Sequence, residues 1–369
     1  MFSAEPRETL GKDIFSPPSQ WSFPGTWFWW FWLFFIHDEG TKKTGKCEQL
    51  MILWSIKKDA QISCNGMDIK IPRQIEPASN GKWLLNGAAA AWHFGEKGMQ
   101  ENLVLEKSGM LLDPKARLLF AQGKTPSSFS LKGGKFITRI KSGGLEFELV
   151  AKQEDLHKAV GPIHGKTSLP LGMSVEATRI ERLSLSGTKK RDGRSIPIKG
   201  TAYFQKVLVA VPPPQWYWGL YHFPDGSFLT YMVSYAGRAM LAGNLWEKPS
   251  LKKPTLPVQQ DIMLYHAPTG RVFQSASVAV SPKDEGGGLW SHHVKAKGKG
   301  FSIEAHAQAY SHACWEFEKK AMGALPKSAF KYNEYPSVLK LARLRTSDGE
   351  EISLSNGWGN MENSWGFLL

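Results

Sequence analysis

The residues best suited to chemistry in this chain lie on one short segment with a two-residue alternation. Segment 304–315 places polar or reactive side chains at every second position, with alanine or serine between them. Because side chains alternate between the two faces of a β-strand, one face of this predicted strand is polar. That face carries Glu304, His306, Gln308, Tyr310, His312 and Cys314. Such groups serve in general acid–base catalysis, and Glu304 and His306, two residues apart, could act together.

Two interpretations of this polar face remain open. If it lines the interior of a β-barrel, it is a candidate catalytic and binding site. If it faces water, it is the solvated side of a strand whose alanines pack against a neighbouring sheet. His306 and His312 are roughly 20 Å apart along an extended strand, so they are not expected to share one metal ion. We predict no metal site.

An aromatic hairpin supplies the second candidate site. Its strands, 215–223 and 227–235, are joined by Pro224-Asp225-Gly226, a typical turn in which Asp225 is explained by turn chemistry. The rings could either pack as a core or wall an apolar pocket, where their negative faces would stabilise a developing cation. His222 is a candidate for proton transfer because its pKa can be tuned near neutrality. The predicted catalytic residues are His222, Glu304 and His306, and the predicted ligand-binding residues are Trp29, Trp218, Tyr221, Tyr231, Gln308, Tyr310 and His312.

The aromatic run Trp27–Ile36 (WFWWFWLFFI) must be an important structural element. A helix needs about 20 apolar residues to cross a bilayer, and this run is half that length. Trp and Phe favour β-strands, and ten residues of strand reach roughly 33 Å. Both faces of such a strand are apolar, so both must be covered. We predict a strand with protein core on one side and an apolar ligand cavity on the other.

Composition limits the class of protein. The chain has 369 residues, 42% hydrophobic and 21% charged, with 36 Gly and 22 Pro, which is typical of a globular protein with many strands and turns. Its formal charge of +13 favours at most weak association with anionic membrane surfaces. No nucleic-acid-binding motif, nucleotide loop or catalytic-triad motif is present, so we expect no nucleic-acid partner and no cofactor.

The cysteines and the N-terminal segment indicate a cellular location. Cys47, Cys64 and Cys314 are widely spaced and odd in number, which argues against a disulfide framework. Segment 1–15 contains acidic residues and lacks the basic and apolar regions of a signal peptide. We therefore expect a cytoplasmic protein.

Strand-like segments separated by Gly-containing turns fill both halves of the chain, and helical periodicity never exceeds one or two turns before residue 150. Residues 152–174 lose the alternation and are predicted to be a linker. The fold class is therefore all-β, with a first domain at 1–174 and a second domain at 175–369.

Four passages resemble the lipocalin-like family of carotenoid 1,2-hydratases and AttH-type proteins. They are the aromatic strand 27–36 with its charged turn, the strand-turn-strand 184–204, the aromatic hairpin 215–235 and the closing segment 357–369 (GWGNMENSWGFLL). The resemblance implies two consecutive lipocalin-like antiparallel β-barrel or half-barrel domains. It also implies an apolar small-molecule ligand.

Two departures from the family pattern concern the hydration chemistry. The stretch Gly200–Lys206 lacks the His and the nearby Trp of the hydratases, and Tyr221-His222-Phe223 lacks their Asp. The resemblance therefore supports the fold and the ligand class more strongly than the reaction.

The leading functional hypothesis is a cofactor-free enzyme acting on an isoprenoid or polyketide-like molecule by hydration, isomerisation or cyclisation. The alternative is a non-catalytic carrier of a hydrophobic ligand. A third hypothesis is an interaction protein that exposes its tryptophans as one patch. The ligand, the reaction and the oligomeric state are not predicted.

Overall fold

The structure is a computed structural model of the chain. It describes residues 3–4, 7–18, 21, 25–58, 62–69, 75–154, 160–168, 174–210, 215–237, 255–320 and 328–367. The chain folds into two compact units. The first comprises Met1–His37, Gln49–His93 and Gln100–Pro212, and the second comprises Asp38–Glu48, Phe94–Met99 and Pro213–Leu369.

Nearly all of the regular structure is β-strand, as the sequence predicts. The elements up to residue 212 are β1 (Ser3–Ala4), α1 (Arg7–Ile14), β2 (Trp27–Ile36), α2 (Thr41–Thr44), β3 (Glu48–Lys57), β4 (Ile62–Cys64), β5 (Met67–Asp68), β6 (Ile75–Pro77), a 3-10 turn (Ser79–Gly81), β7 (Trp83–Gly95), β8 (Gly98–Asp113), β9 (Leu118–Gln122), β10 (Ser127–Lys132), β11 (Lys135–Ser142), β12 (Leu145–Lys152), β13 (Ile163–Ser168), β14 (Ser174–Arg191) and β15 (Arg194–Ala210). The later elements are β16 (Gln215–His222), β17 (Phe228–Gly237), β18 (Thr255–His266), a 3-10 turn (Ala267–Thr269), β19 (Arg271–Ser275), β20 (Val278–Gly286), β21 (Leu289–Gly298), β22 (Phe301–Ala309), β23 (Ala313–Lys319), β24 (Ser328–Thr346) and β25 (Glu351–Phe367).

The first unit contains a closed, ten-stranded antiparallel barrel. Its strands follow the order β14, β12, β11, β10, β9, β8, β7, β3, β2 and β15. Pairing of β15 with β14 closes the ring, with Leu183 opposite Ala202. Closure leaves the ring without the unpaired edge of an open sheet.

Strand β2 occupies the range predicted for the aromatic run, and the all-β prediction is confirmed. Its inward residues, such as Trp30 and Trp32, belong to the buried core of the first unit. On the opposite face, Phe31, Leu33 and Phe35 are also buried. Both faces of the strand are therefore covered along this stretch, as its composition requires. The ligand cavity beside it stays a prediction.

The second unit contains an antiparallel sheet in the order β19, β18, β17, β16, β25, β24, β22, β21 and β20, with β23 also paired to β24. The two ends of this row come together. Ser275 Oγ on β19 donates to Lys297 O on β21 at 2.5 Å, and Gln260 Nε2 on β18 donates to Val278 O on β20 at 2.7 Å. The sheet therefore curls around its own hydrophobic core, and the lipocalin-like expectation for both halves is confirmed.

Residues 175–212, which are predicted to open the second domain, belong to the compact first unit, which extends to Pro212. Strands β14 and β15 complete the first barrel through their pairing with β12 and β2. Part of the predicted linker is also a strand, because β13 pairs with the half of β14 that extends beyond β12.

The aromatic hairpin forms as predicted, from β16 and β17. Asp225 fixes its turn, since its carboxylate accepts hydrogen bonds from Ser227 N at 2.8 Å and Ser227 Oγ at 2.9 Å. The explanation of Asp225 by turn chemistry is therefore correct. Among the described residues, no helix has the length and apolarity needed to span a bilayer.

Candidate functional site

The acid–base pair predicted on β22 lies at the protein surface. Glu304 and His306 are exposed, whereas the alanines between them are buried in the core. Glu304 Oε1 accepts a hydrogen bond from His293 Nε2 at 2.8 Å and lies 3.4 Å from Lys295 Nζ. The hydrogen bond from His293 and the adjacent Lys295 lower the pKa of Glu304, so it is a carboxylate rather than a proton donor. This geometry matches the solvated-strand interpretation.

The alternation of segment 304–315 ends at a bulge. Ala309 pairs with Ser337 and Ala313 pairs with Glu334, so three residues between these pairs on one strand match two on the other. A single continuous strand predicted for this segment is therefore divided into β22 and β23. Tyr310 lies within the bulge.

Two of the predicted binding residues, Tyr310 and His312, make hydrogen bonds that stabilise the bulge. Tyr310 OH donates to Cys47 O at 3.1 Å and accepts from Cys47 N at 3.3 Å. His312 Nε2 lies 2.9 Å from Asn333 Oδ1, and its ring stacks on Tyr335 with centroids 4.8 Å apart. Gln308, on β22, is half-buried. Tyr310 and His312 thus hold the bulge against its neighbours.

Tyr221 and Tyr231 belong to a buried network inside the second sheet. Tyr221 OH and Ser337 Oγ are 3.0 Å apart. Tyr231 OH lies 2.7 Å from His292 Nδ1, and His292 Nε2 lies 2.5 Å from Asn363 Oδ1. Because Asn363 Oδ1 can only accept, the imidazole donates from Nε2 and accepts from Tyr231 at Nδ1. This arrangement requires a neutral His292, and burial lowers its pKa to about 4.

This buried imidazole predicts acid sensitivity. In the unfolded chain His292 has a pKa near 6.5, so the unfolded state binds a proton first as the pH falls. Stability contributed by the neutral ring is complete above pH 6.5 and is lost as the pH approaches 4, by about 3 kcal/mol in total. We expect His292→Gln to remove this part of the pH dependence, measured by denaturant unfolding across that range.

His293→Gln is the matched control, because its half-exposed ring pairs with Glu304 at the surface. This variant should keep the acid-dependent loss of stability. An unchanged slope in His292→Gln would contradict the assignment.

The opposite face of the second sheet carries another set of predicted residues. Trp218 and His222 point to this face from β16 and are buried. Residues directly opposite each other in paired strands share a face. Trp218 pairs with Glu362, and Glu362 in turn pairs with Glu334. A row across β24, β25 and β16 therefore contains two carboxyl groups beside an indole.

The two carboxyl groups are joined by a tyrosine. Tyr332 OH lies 2.9 Å from Glu362 Oε1 and also hydrogen-bonds Glu334 Oε1. Trp216 Nε1 donates to Glu362 Oε2 at 2.7 Å. Glu334 and Glu362 are both almost completely buried. Neither residue is among the site residues predicted from the sequence.

These contacts determine where the proton lies. Burial, and then the neighbouring Glu362, raise the pKa of Glu334 well above its usual range. Burial raises the pKa of Glu362 to about 7, opposed by the hydrogen bonds from Trp216 and Tyr332. Two carboxylates this close cannot both ionise readily. At neutral pH the pair therefore holds a proton, with Glu334 as the acid and Glu362 as the group better stabilised as a carboxylate.

Several polar atoms near this pair lack a hydrogen-bond partner within the described part of the chain. They are Glu334 Oε2, Asn360 Oδ1 and Nδ2, Thr230 Oγ1 and Trp315 Nε1. Leu220 pairs with both Asn360 and Thr230, which places those two side chains on the same face as the carboxyl row. Each such atom costs about 1–3 kcal/mol when buried without a partner. Unsatisfied donors and acceptors grouped on one face are suited to a polar group of a bound molecule.

Aromatic side chains surround the carboxyl pair. The ring of Trp216 lies 5.4 Å from that of Phe330 and 5.7 Å from that of Tyr332, and Trp315 lies 6.0 Å from Tyr332. Their ring faces attract positive charge. The site thus combines a neutral acid, a carboxylate and aromatic rings. No cluster of three or more metal-ligating side chains is found among the described residues.

Comparison with known proteins gives similarity only at the level of fold. No protein-family model matches the chain, and no curated protein matches its sequence. The chain aligns with the crystal structure of a protein assigned as AttH from Nitrosomonas europaea, at 13% identity and a TM-score of 0.49, over 94% of this chain and 93% of that one. AttH-type proteins are among those that the sequence motifs resemble.

Two further solved structures align over a similar length. Kievitone hydratase from Nectria haematococca is 11% identical with a TM-score of 0.46, covering 93% of this chain and 89% of that one. CghA, crystallised with Sch210972, is 9% identical with a TM-score of 0.48, covering 93% and 88%.

Proposed function

We propose that this protein is an acid–base enzyme acting on an apolar, unsaturated small molecule, with Glu334 as the proton donor. The observation that carries the proposal is the buried Glu334–Glu362 pair, which holds a proton at neutral pH. A carboxylic acid with a strongly raised pKa is suited to general acid catalysis near neutrality. Glu334 Oε2, which has no partner in the described structure, is the atom from which the proton would leave.

The reaction fits this arrangement as follows. Glu334 protonates one carbon of a double bond, and positive charge develops on the other carbon. The Glu362 carboxylate and the rings of Trp216 and Tyr332 stabilise that charge. Water then adds to the cation, or a neighbouring C–H loses its proton. The released proton passes to Glu362 and through Tyr332 OH back to Glu334, which restores the starting state.

The predicted residues take different positions in this proposal. Trp218 pairs directly with Glu362 and would line the site. His222 lies four residues further along β16, roughly 13 Å away, so it would contact a distant part of the substrate rather than the reacting atoms. Glu304 and His306 are exposed and take no part. Trp29, on the first barrel, has no role in the proposed chemistry.

Burial of two carboxyl groups distinguishes this proposal from a simple carrier. Removing a charged or polar group from water is costly, and an apolar ligand gains nothing from a carboxylic acid. In an enzyme the buried acid has a use, because it delivers a proton in the transition state. The substrate class that we propose is an isoprenoid or a polyketide-like polyene.

Deuterium incorporation tests the proposal. Purified protein is incubated in D2O with lycopene, geranylgeraniol and a linear polyene ketone, each in detergent micelles, and products are analysed by mass spectrometry. Acid catalysis places deuterium on carbon, because the proton on Glu334 exchanges with solvent. A product formed without carbon-bound deuterium would indicate a shape-directed cyclisation and contradict the acid role. Absence of any product across the panel would also count against the proposed substrate class.

A further inference from the structure

A half-buried lysine lies at one end of the first barrel. Phe204 and Leu208 on β15 belong to the buried core, and Lys206 between them shares their inward face. Its ammonium or amine group lies 5.4 Å from the ring centroid of Phe28 on β2. A lysine in such a place is unusual because its charged form loses hydration. This position is independent of the acid site in the second unit.

The segment that follows α1 covers this end of the barrel. Trp30 Nε1 donates to Ile14 O at 2.8 Å, and the ring of Phe15 packs on Phe129 with centroids 4.9 Å apart. Beneath the segment is a small cavity of about 40 Å³. It is lined by Ser16, Pro17, Pro18, Phe28, Glu176, Thr178, Lys206 and Leu208. This volume has room for roughly three water molecules, or for a molecule of a few heavy atoms.

The hydrogen bonds of Lys206 suit a neutral amine. Nζ donates to Asp13 O and, at 2.9 Å, to Ser16 Oγ. Ser16 Oγ in turn donates to Asp13 O at 3.0 Å, so it accepts from the lysine. A neutral amine has two N–H donors and one lone pair, whereas an ammonium has a third donor that needs an acceptor. The two acceptors, Asp13 O and Ser16 Oγ, therefore pair with both N–H groups of a neutral amine, and the nitrogen lone pair remains available.

Electrostatics make the uncharged amine more accessible than in an ordinary lysine. Burial lowers the pKa of Lys206 to about 8, while the negative charges of Glu176 and Asp13 act in the opposite direction. Glu176 is itself 3.9 Å from Lys166 Nζ, and Thr178 Oγ1 lies 3.0 Å from His164 Nδ1. Roughly a tenth of Lys206 is thus uncharged at pH 7 and about half at pH 8, and the uncharged amine is the form in which lysine is a nucleophile.

We propose that Lys206 is a carbonyl-reactive amine that binds a small aldehyde as an imine at this end of the first barrel. The amine nitrogen attacks the carbonyl carbon, a C–N bond forms, and the carbonyl oxygen gains a proton to give a carbinolamine. Loss of that oxygen as water and of the N–H proton yields the imine, with one water released and no redox change. Glu176, which lines the cavity, carries the protons for the dehydration.

The test is competitive labelling of the full chain. Protein is treated with acetaldehyde and sodium cyanoborohydride, which reduces imines, at about pH 8, and ethylated lysines are located by peptide mass spectrometry. Lys132 and Lys135, exposed on β10 and β11, are internal controls. We expect Lys206 to be labelled at least about tenfold faster than either, because more of it is uncharged. Equal or slower labelling of Lys206 overturns the proposal.

Two further measurements separate this site from ordinary lysine reactivity. Benzaldehyde exceeds the cavity, so its preference for Lys206 over Lys132 should be lost; a retained preference contradicts the cavity as the binding site. Glu176→Gln removes a negative charge that raises the pKa of Lys206, so the midpoint of the pH–labelling curve should move to lower pH. An unchanged midpoint contradicts the role of Glu176.

Discussion

Replacement of Glu334 by Gln is expected to lower turnover by roughly 10²–10⁴-fold, the usual contribution of a general acid. Gln keeps the size of the side chain and can still form a hydrogen bond with Tyr332 OH, but it has no acidic proton to deliver. Steady-state kinetics on the substrate identified by deuterium labelling would measure the loss. The lost rate should appear in kcat more than in KM, because proton delivery acts on the transition state. Turnover within threefold of the wild-type value would remove Glu334 from the mechanism.

Glu362→Gln is the matched control, since it changes the neighbouring carboxyl in the same row. It removes the negative charge that raises the pKa of Glu334, so that pKa should fall. Turnover should fall overall, because the cation loses a stabilising carboxylate, and the remaining activity should decline at lower pH than in the wild type. A pH–rate profile distinguishes this shift from the uniform loss expected for Glu334→Gln.

The protonation state can also be observed without a substrate. A buried carboxylic acid has an infrared C=O stretch separate from that of a carboxylate. The wild-type protein at neutral pH should show this band, and Glu334→Gln should show a weaker band, which comes from Glu362 and disappears as the pH rises above about 7. Glu334→Gln should also be no less stable than the wild type under alkaline conditions, because a carboxyl with a raised pKa loses its stabilising contribution as the pH rises through that pKa.

The sequence determines some of this architecture directly. Trp27–Ile36 favours a strand covered on both faces, because its aromatic residues prefer β-structure and leave no polar face. The hairpin at Asp225 follows from its turn residues in the same way. Such local features depend on residues adjacent in sequence, which is why they could be predicted.

The side of the sheet on which a strand places its polar residues is harder to predict. Segment 304–309 alternates as expected, but alternation alone does not say whether the alanines or the polar groups face inward. In the structure Ala305 and Ala307 pack in the core, and Glu304 pairs with His293 on a neighbouring strand. The outcome depends on β21 and β24, which lie on either side of it.

Glu334 and Glu362 lie next to each other because their strands pair as a hairpin. β24 and β25 are joined at Asp348-Gly349, where Gly349 has a φ of 91°, a conformation suited to glycine. From this turn the register is constant, so Arg345 lies opposite Glu351 and, further out, Glu334 lies opposite Glu362. The two glutamates are equidistant from Asp348. That symmetry is visible in the sequence once the turn is recognised, but the length of β24, which begins as early as Ser328, is not.

Trp32→Ala is expected to destabilise the first barrel by about 3–5 kcal/mol, the usual cost of replacing a buried Trp or Phe with Ala. Trp32 is fully buried at the centre of an aromatic cluster. Its ring lies 4.7 Å from Phe204, 5.2 Å from Phe34 and 5.3 Å from Phe136. Truncation removes all of these contacts and leaves a cavity that the surrounding rigid strands cannot close.

Two comparison variants identify the source of this effect. Trp29→Ala changes the same strand at a half-buried position with a ring contact to Trp27, so it should cost about 1 kcal/mol. Trp32→Phe should cost less than Trp32→Ala, because it retains most of the ring packing and because Trp32 Nε1 has no hydrogen-bond partner within the described structure.

A chain with two compact units need not unfold in one step, so hydrogen exchange of barrel peptides is the appropriate measurement. Trp29→Ala and Trp32→Ala shorten side chains on opposite faces of β2. If Trp29→Ala accelerated hydrogen exchange in β2 as much as Trp32→Ala, the inward aromatic cluster would not be the source of the stability.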